Sequence, residues 1–476
     1  MYLSLSSEHN STSEPPASSR KRPRPKPAAL SAIEPALADL GLAIEQVPLS
    51  RIKVYERNAR THSQRQITQL AASIRTFGFV SPIVLDQSNT IIAGHGRLQA
   101  AQELNLSSVP AVHVTHLSDA MVRALRIADN RLAELAGWDD DLLRLELGEL
   151  STIELDFSLD VTGFSTGEID VLLDGKPTPQ AADPADEVME PEALAVSRLG
   201  DLWQLGDHRL ICGSSLEPAV FDALLEGEPV RTVFTDPPYN VAVSGHVCGL
   251  GKVQHREFAM ASGEMTVDQF TSFLSTVVAN MAAHVVDGGL LYCCMDWRHI
   301  SQLQAAADAA RLALINLCVW AKDNGGMGSL YRSQHELVFV YKKGMAPHQN
   351  FVELGRHGRY RTNVWSYPGV NTTKAGRMEE LAMHPTVKPV GLVADAIRDC
   401  TRRGELVLDA FSGSGTTIIA AERSGRRAAA IELDPVYVDT AIRRWERLTG
   451  KSATLVSTGK SFAEMATLRL EGVGHA

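Results

Sequence analysis

The stretch from Glu405 to Pro435 admits few folds. Glu405-Leu406-Val407-Leu408 suits a short buried strand, and Asp409-Ala410-Phe411-Ser412-Gly413-Ser414-Gly415 turns out of it. Thr416 to Ser424 reads as a helix closed by Gly425. Ala428-Ala429-Ala430-Ile431 reads as a second strand, ending in Glu432-Leu433-Asp434-Pro435. This is a β-loop-α-β unit with glycines at the first crossover, the building block of a mostly parallel sheet with helices on both faces. Glycines there let a ligand approach the backbone, and an acidic residue ending the next strand can bind ribose hydroxyls. The spacing is not Gly-x-Gly-x-x-Gly and no Walker lysine follows, so a tight turn in a generic α/β fold would look similar.

A second motif lies far upstream. Val230-Arg231-Thr232-Val233-Phe234 is a β-branched, apolar run that enters Thr235-Asp236-Pro237-Pro238-Tyr239-Asn240. The prolines fix their φ and lack N–H groups, so carbonyls there can point outward without an internal partner. The Asp236 carboxylate and the Pro237 carbonyl are two acceptors that suit an exocyclic amine on a base, whose lone pair is otherwise delocalised into the ring. Two such acceptors favour a pyramidal nitrogen aimed at a methyl donor. A base reached in this way must leave its stack, and Tyr239 offers a face for it. An ordinary strand-to-loop turn is the plainer reading of these residues taken alone.

With both motifs in hand, the segment from about Val196 to Gly450 resembles the β-type amino-methyltransferase family of DNA methylases. In that family the box that here is Asp236, Pro237, Pro238 and Tyr239 is catalytic. The resemblance implies S-adenosylmethionine as cofactor, its methionine end held by Asp409, Phe411, Gly413, Gly415 and Thr416 and its ribose by Glu432. The box His384-Pro385-Thr386-Val387-Lys388-Pro389 implies cofactor contacts from Thr386 and Lys388. Where the family continues the segment Leu205 to Gly213 with an aspartate on the cofactor adenine, this chain has Ser214, a hydrogen-bonding group without charge. Aspartate rather than serine opening the first box resembles the adenine-N6 branch.

The 476 residues have room for two or three domains with full cores. The reading is a basic disordered arm over 1–45, a smaller domain over 46–173, a linker over 174–195, a methylase domain over 196–455 and a tail over 456–476. The linker carries Pro177, Pro179, Pro184 and Pro191 among acidic and small residues, so a fragment starting near Ala195 is expected to fold alone. Six scattered cysteines point to a reducing, cytoplasmic setting. No stretch is long and apolar enough to span a membrane, and no metal-ligand spacing is present. With a net charge of -10, contact with DNA has to rest on local basic patches. One such patch is Arg356, Arg359, Arg361, Lys374 and Arg377 within 342–383, interleaved with aromatics and lying where the family places target recognition. The segment Gly245 to Gly263 suits a loop closing over the site.

In the smaller domain, Phe79 to Leu85 and Thr90 to Ala93 read as strands, and Gly94-His95-Gly96-Arg97 opens a helix over Leu98 to Leu104. This resembles the ParB/sulfiredoxin-like domain, an α+β fold. Gly94, His95 and Arg97 at a helix start suit a phosphate group. The expected whole is therefore a Rossmann-like, doubly wound S-adenosylmethionine-dependent methyltransferase behind an α+β ParB-like domain. It acts on double-stranded DNA at adenine N6 by base flipping, in the manner of a restriction-modification enzyme with no restriction partner evident in the chain. A homodimer is compatible with the sequence. Cytosine-N4 methylation, and a non-catalytic DNA-binding regulator, are the alternatives.

Overall fold

The computed structural model describes residues 42–153, 155–174, 183–187, 192, 194–241, 263–322, 330–352, 361–368 and 387–470. The chain divides into two compact units, Met1–Ala136 and Gly137–Ala476.

The first unit runs β1 (Ile44–Pro48), α1 (Gln64–Phe77), β2 (Ile83–Leu85), β3 (Ile91–Ala93), α2 (His95–Glu103), β4 (Ser108–His113) and α3 (Asp119–Glu134). Its sheet has the order β1-β4-β2-β3, and Ile83, Leu85, Ile91, Leu98, Val109 and Ala111 form its core. The turn between β2 and β3 is built on Asp86, whose Oδ1 accepts from Ser88 N and Thr90 N at 2.8 and 2.9 Å. The strand begins at Ile83 rather than Phe79, because Pro82 has no N–H to give a ladder. The helix begins three residues earlier than expected, at His95, because Gly94 turns the chain at φ +104° and its carbonyl accepts from Leu98 N.

The second unit opens with α4 (Asp140–Thr152) and α5 (Thr166–Asp174). It continues through β5 (Leu202–Leu205), β6 (His208–Cys212), α6 (Pro218–Leu225), β7 (Val230–Thr235), α7 (Val267–His284), β8 (Val285–Met295), α8 (Ile300–Ala309) and β9 (Leu312–Ala321). After β10 (His335–Lys343) and β11 (Val364–Ser366) come α9 (Val390–Cys400), β12 (Leu406–Asp409), α10 (Thr416–Ser424), β13 (Arg427–Glu432), α11 (Pro435–Thr449), β14 (Thr454–Leu455) and α12 (Phe462–Leu470). Ten strands form one sheet in the order β11-β9-β10-β8-β7-β12-β13-β6-β5-β14. The five from β8 to β6 are parallel.

Period-two alternation divides the strand side chains between two apolar layers. On β8, Tyr292 and Cys294 meet Ile397, Ile418 and Val438 of α9, α10 and α11. Leu291 and Cys293 meet Phe221, Phe270 and Leu303 of α6, α7 and α8. The adjacent cysteines are thus core residues on opposite faces. The late strand β12 inserts between β7 and β13. Two motifs about 170 residues apart in the chain therefore end on neighbouring strands, at the carboxyl edge where open α/β sheets bind ligands.

The division falls earlier than the expected break at 174–195. Helices α4 and α5 belong to the second unit, and the reason is electrostatic. Asp170 on α5 takes Arg426 in a bidentate pair at 2.9 and 2.8 Å, and both side chains are sealed from solvent. Part of the expected linker also lies on the sheet domain. The Ala185 carbonyl accepts from Arg444 Nη2 at 2.6 Å, and Asp186 Oδ1 accepts from Val390 N at 2.7 Å. Of the expected tail over 456–476, residues 456–470 pack on the sheet domain: Phe462 lies edge-on against Trp203 at 5.4 Å, and Arg469 Nη1 donates to the Val196 carbonyl at 2.8 Å; residues 471–476 lie outside the described residues. Of the expected arm over 1–45, residues 1–41 lie outside the described residues, and Ile44 already belongs to β1.

A fragment starting at Ala195 would lack Asp170 and strand Arg426 in the interior. Asp170→Ala in the full chain should therefore cost about 3–5 kcal/mol, because it leaves a buried charge unpaired. Adding Arg426→Met should return part of that stability. Denaturant melts of the two variants check this; equal melts would show that the pair does not anchor α5.

Candidate active site

The two sequence motifs meet through one buried carboxylate. Thr235, the last residue of β7, donates from Oγ1 to Asp409 Oδ1 at 3.0 Å across to β12. The same oxygen accepts from Phe411 N at 3.0 Å, and Oδ2 accepts from Thr417 Oγ1 at 2.6 Å. Burial pushes Asp409 up to about 6, against those three hydrogen bonds. From this anchor the glycine loop turns into α10. Glu432, at the end of β13, accepts from Gly413 N through Oε2 and from Asp434 N through Oε1, both at 2.8 Å. Burial pushes its carboxyl up to about 7.

One cavity is lined by residues of both motifs: Asp236, Pro237, Pro238 and Tyr239 from the first, Asp409, Phe411, Gly413 and Thr416 from the second, and also Glu432 and Lys388. Gly413 has φ +51°, and a Cβ built on it would meet nothing within 4 Å. The Ser412 hydroxyl, also on the cavity wall, is buried without a partner among the described residues. Gly415 does not line the cavity. At φ +83° its missing Cβ would lie 2.7 Å from Ala441 Cβ, so it serves the close approach of the loop to α11. Arg444 on α11 braces the same loop, donating to the Ser414 carbonyl at 3.2 Å and to Thr416 Oγ1 at 3.1 Å.

Asp236 is held from two sides. Tyr239 Oη donates to Oδ1 at 2.6 Å, and Lys388 Nζ donates to Oδ2 at 2.5 Å. Lys388 also contacts Glu336 Oε2 at 3.0 Å, and Glu336 is paired in turn with Lys322. Burial pushes the Asp236 carboxyl up, and the Lys388 ammonium opposes that shift. Against its own burial, Glu336 is held down to about 2 by Lys388 and Lys322. Lys388, also against burial, is held above the ordinary lysine range by Asp236 and Glu336. Glu336 and Lys322 had no assigned role in the sequence; the available signal was an acidic residue opening the apolar strand Leu337–Tyr341. Asn240 is a further residue that the motif reading passed over. At φ +54°, it accepts through Oδ1 from Gly263 N and Met265 N, at 3.1 and 3.2 Å, and so ties the end of the first motif to the start of α7.

Several expected contacts are placed differently. Lys388 lines the cavity, but its ammonium is spent on Asp236 and Glu336. Ser214 is not on the cavity wall: its Oγ caps the next turn by accepting from Leu216 N at 3.3 Å, while Gly213 and Ser215 line the cavity. Arg361 is not presented to a nucleic acid. It is half-enclosed against the Trp365 ring and bound to Asp395 and Asp399 at 2.7 and 2.8 Å. Those two carboxylates balance its charge, and its Nη1 donates to Asp395 Oδ2 and to the Tyr367 hydroxyl. Arg356, Arg359, Lys374, Arg377 and Thr386 lie outside the described residues, as does the loop expected after Gly245 up to residue 262. Among the described residues no cluster of His, Cys, Asp and Glu could hold a metal ion, and no helix is long and apolar enough to cross a membrane.

In the first unit, His95 is buried at the start of α2 with Nε2 lacking a partner. Burial lowers its pKa, helped by His62 and Arg126. Arg97 folds back over Gly94, where a Cβ would meet its guanidinium at 3.1 Å. Gly96 permits a second close approach, since a Cβ there would meet Leu70 at 3.0 Å and His62 at 3.1 Å. A larger residue at that position does not fit this packing.

Known families match along the chain. The DNA methylase family matches residues 230–443, the ParB-methyltransferase HTH domain residues 141–199, and the ParB N-terminal domain residues 38–131. The ParB-like nuclease domain-containing protein YnaK of Escherichia coli K12 is 45% identical over 78 residues, 16% of this chain and 90% of that protein. The type II methyltransferase M2.MboI of Moraxella bovis is 23% identical over 239 residues, 48% of this chain and 85% of that enzyme. The solved complex of M1.HpyAVI with S-adenosylmethionine aligns at 20% identity with a TM-score of 0.37, covering 49% of this chain and 97% of that one.

The two glycines of the loop should separate in a stability measurement. Gly415→Ala combines about 1–2 kcal/mol of left-handed strain with about 1–3 kcal/mol of overpacking against Ala441. Gly413→Ala carries only the first, about 1–2 kcal/mol, because its Cβ enters open space. Denaturant midpoints of both variants give the ranking, and the reverse order would contradict this account of the loop.

Proposed function

We propose that this chain, which belongs to the DNA methylase family and carries a ParB N-terminal domain, transfers a methyl group from S-adenosylmethionine to adenine N6 in DNA. The observation that carries the reading is the single cavity lined by Asp236 and Pro237 together with Gly413 and Glu432. The amine's acceptors and the cofactor loop share one space, so direct transfer needs no relay between distant sites.

The residues present fit the cofactor. The open side of Gly413 leaves room beside the loop backbone, and the unpartnered Ser412 hydroxyl supplies a polar contact for the methionine end. Glu432 supplies acceptors for ribose hydroxyls, and Phe411 and Tyr437 supply apolar walls. Bound there, S-adenosylmethionine would supply a methyl carbon made electrophilic by its sulfonium, the C–S pair staying on sulfur, and the methylated amine would lose one N–H proton to solvent. The chain's own task is to draw the amine's N–H bonds toward the Asp236 carboxylate and the Pro237 carbonyl, freeing the lone pair for attack. Tyr239, hydrogen-bonded to Asp236, closes the pocket in which a flipped base is to lie.

Aspartate opening the catalytic box favours adenine N6 over cytosine N4. A regulator without catalysis is disfavoured by the intact acceptors. We assign sequence recognition to residues 342–383, with Arg361 as a framework residue rather than a DNA contact. The anion site at Gly94, His95 and Arg97 is assigned to a phosphate group, because the first turn of α2 carries a buried imidazole nitrogen without a partner among the described residues and a guanidinium folded over Gly94.

Incubation with methyl-labelled donor and DNA, followed by digestion to nucleosides, should give N6-methyladenine. N4-methylcytosine would move the enzyme to the other branch, and no label would refute the activity. Asp236→Ala should bind the donor normally and lose about 10²–10³-fold in turnover, the usual cost of removing a positioned hydrogen-bonding group. Donor affinity should also depend on pH. Glu432 accepts ribose hydroxyls best as a carboxylate, so affinity should fall as pH drops through about 7. Glu432→Gln should bind more weakly and flatten that profile. A wild-type profile that is flat across this range in calorimetry would remove the ribose role.

A further inference from the structure

We propose that Lys388, itself held by Glu336, is the positioning residue that keeps the Asp236 carboxylate charged and oriented for the target amine. The proposal rests on reading the cavity as the methyl-transfer site. It departs from the cofactor contact that the resemblance implied for this lysine.

Four segments bring their charges into one row of alternating sign. Lys322 follows β9, Glu336 opens β10, Lys388 precedes α9, and Asp236 follows β7. Lys322 pairs with Glu336, Glu336 with Lys388, and Lys388 with Asp236. Lys388 is the most enclosed of the four, with a side chain 5% exposed against 16% for Glu336, 23% for Lys322 and 24% for Asp236. The Trp320 ring lies 4.5 Å from Lys322 Nζ and 5.9 Å from Lys388 Nζ, so both ammoniums share one aromatic wall. A lysine buried this far needs its carboxylates, and they in turn need it.

The consequence for chemistry follows from Asp236. Its two oxygens receive Tyr239 Oη and Lys388 Nζ, which fixes the carboxylate plane and leaves the remaining lone pairs to accept from the amine. The anion is the better acceptor, because protonation turns one carboxyl oxygen into a donor that would engage the amine's lone pair rather than free it. Burial and the neighbouring Glu336 and Asp409 carboxylates favour neutralising Asp236. Lys388 is the facing cation, and Tyr239 supplies the facing hydroxyl. Glu336 acts only through Lys388. Its charge disfavours the Asp236 anion, yet it fixes the ammonium that supports it.

This division gives opposite signatures in a pH profile of kcat, measured with full-length protein, labelled donor and DNA. Lys388→Met should raise the acid limb by about 1–3 pH units, lowering turnover at neutral pH and recovering part of it in alkali, with the donor KM little changed. Lys388→Arg keeps the charge and should retain the wild-type limb. Glu336→Gln should lower kcat through lost geometry while leaving the limb in place or shifting it to lower pH. Thermal melts and donor binding establish that each variant is folded; if Lys388→Met does not fold, the Arg and Glu336→Gln profiles carry the test. An active wild type together with an unshifted Lys388→Met limb, an upward shift in Glu336→Gln, or full kcat in Glu336→Gln overturns this proposal alone. A wild type that transfers no methyl overturns the functional reading and this proposal with it.

Discussion

The Asp409 carboxylate holds the site together. It is buried at the end of β12 and accepts from the strand that leads into Asp236, through Thr235, and from the loop and helix that follow it, through Phe411 N and Thr417. β7 and β12 are already neighbours through their backbone pairing, and this shared acceptor fixes how the segments that leave them are placed. A carboxylate so enclosed is costly, and its rise to about 6 records that cost. Three donors offset it. The geometry is thereby specified by hydrogen bonds of fixed direction rather than by apolar packing, which is non-directional.

Buried charge recurs throughout the second unit, each time joining segments distant in sequence. Asp170 and Arg426 fasten α5 to the strand end before β13. Arg444 links the glycine loop to the carbonyl of Ala185, and Asp186 caps the start of α9 directly after Lys388 and Pro389. The stretch around 183–187 thus touches both the loop and the segment that bears Lys388. Such pairs stabilise weakly compared with apolar packing of equal volume, but breaking one partner leaves an uncompensated charge.

Much of this was legible in the sequence. The β-loop-α-β unit and the helix Thr416–Ser424 were readable from periodicity and punctuation, because Gly415 and Gly425 mark its two ends through left-handed φ. The motif that supplies Asp236 was readable because prolines follow it. Long-range pairing was not readable. Nothing local in His384 to Pro389 shows that Lys388 turns to Asp236, or that Glu336 stands behind it, since these contacts exist only once β10 lies antiparallel to β8 beside β7. Proline and acidic content made 174–195 look like a free linker, whereas burial of Asp170 and the hydrogen bonds of Ala185 and Asp186 depend on partners more than 200 residues away. Arg361 is a related case: a basic residue among aromatics reads the same whether its partner is a DNA phosphate or a carboxylate on α9.

A structure of the full chain with S-adenosylhomocysteine and a duplex bearing its modified site tests the central claim most directly. The account predicts an extruded base whose exocyclic nitrogen lies within hydrogen-bond reach of Asp236 and of the Pro237 carbonyl, with the cofactor ribose at Glu432. A base that remains stacked in the duplex, or a cofactor seated away from Gly413 and Glu432, would contradict it.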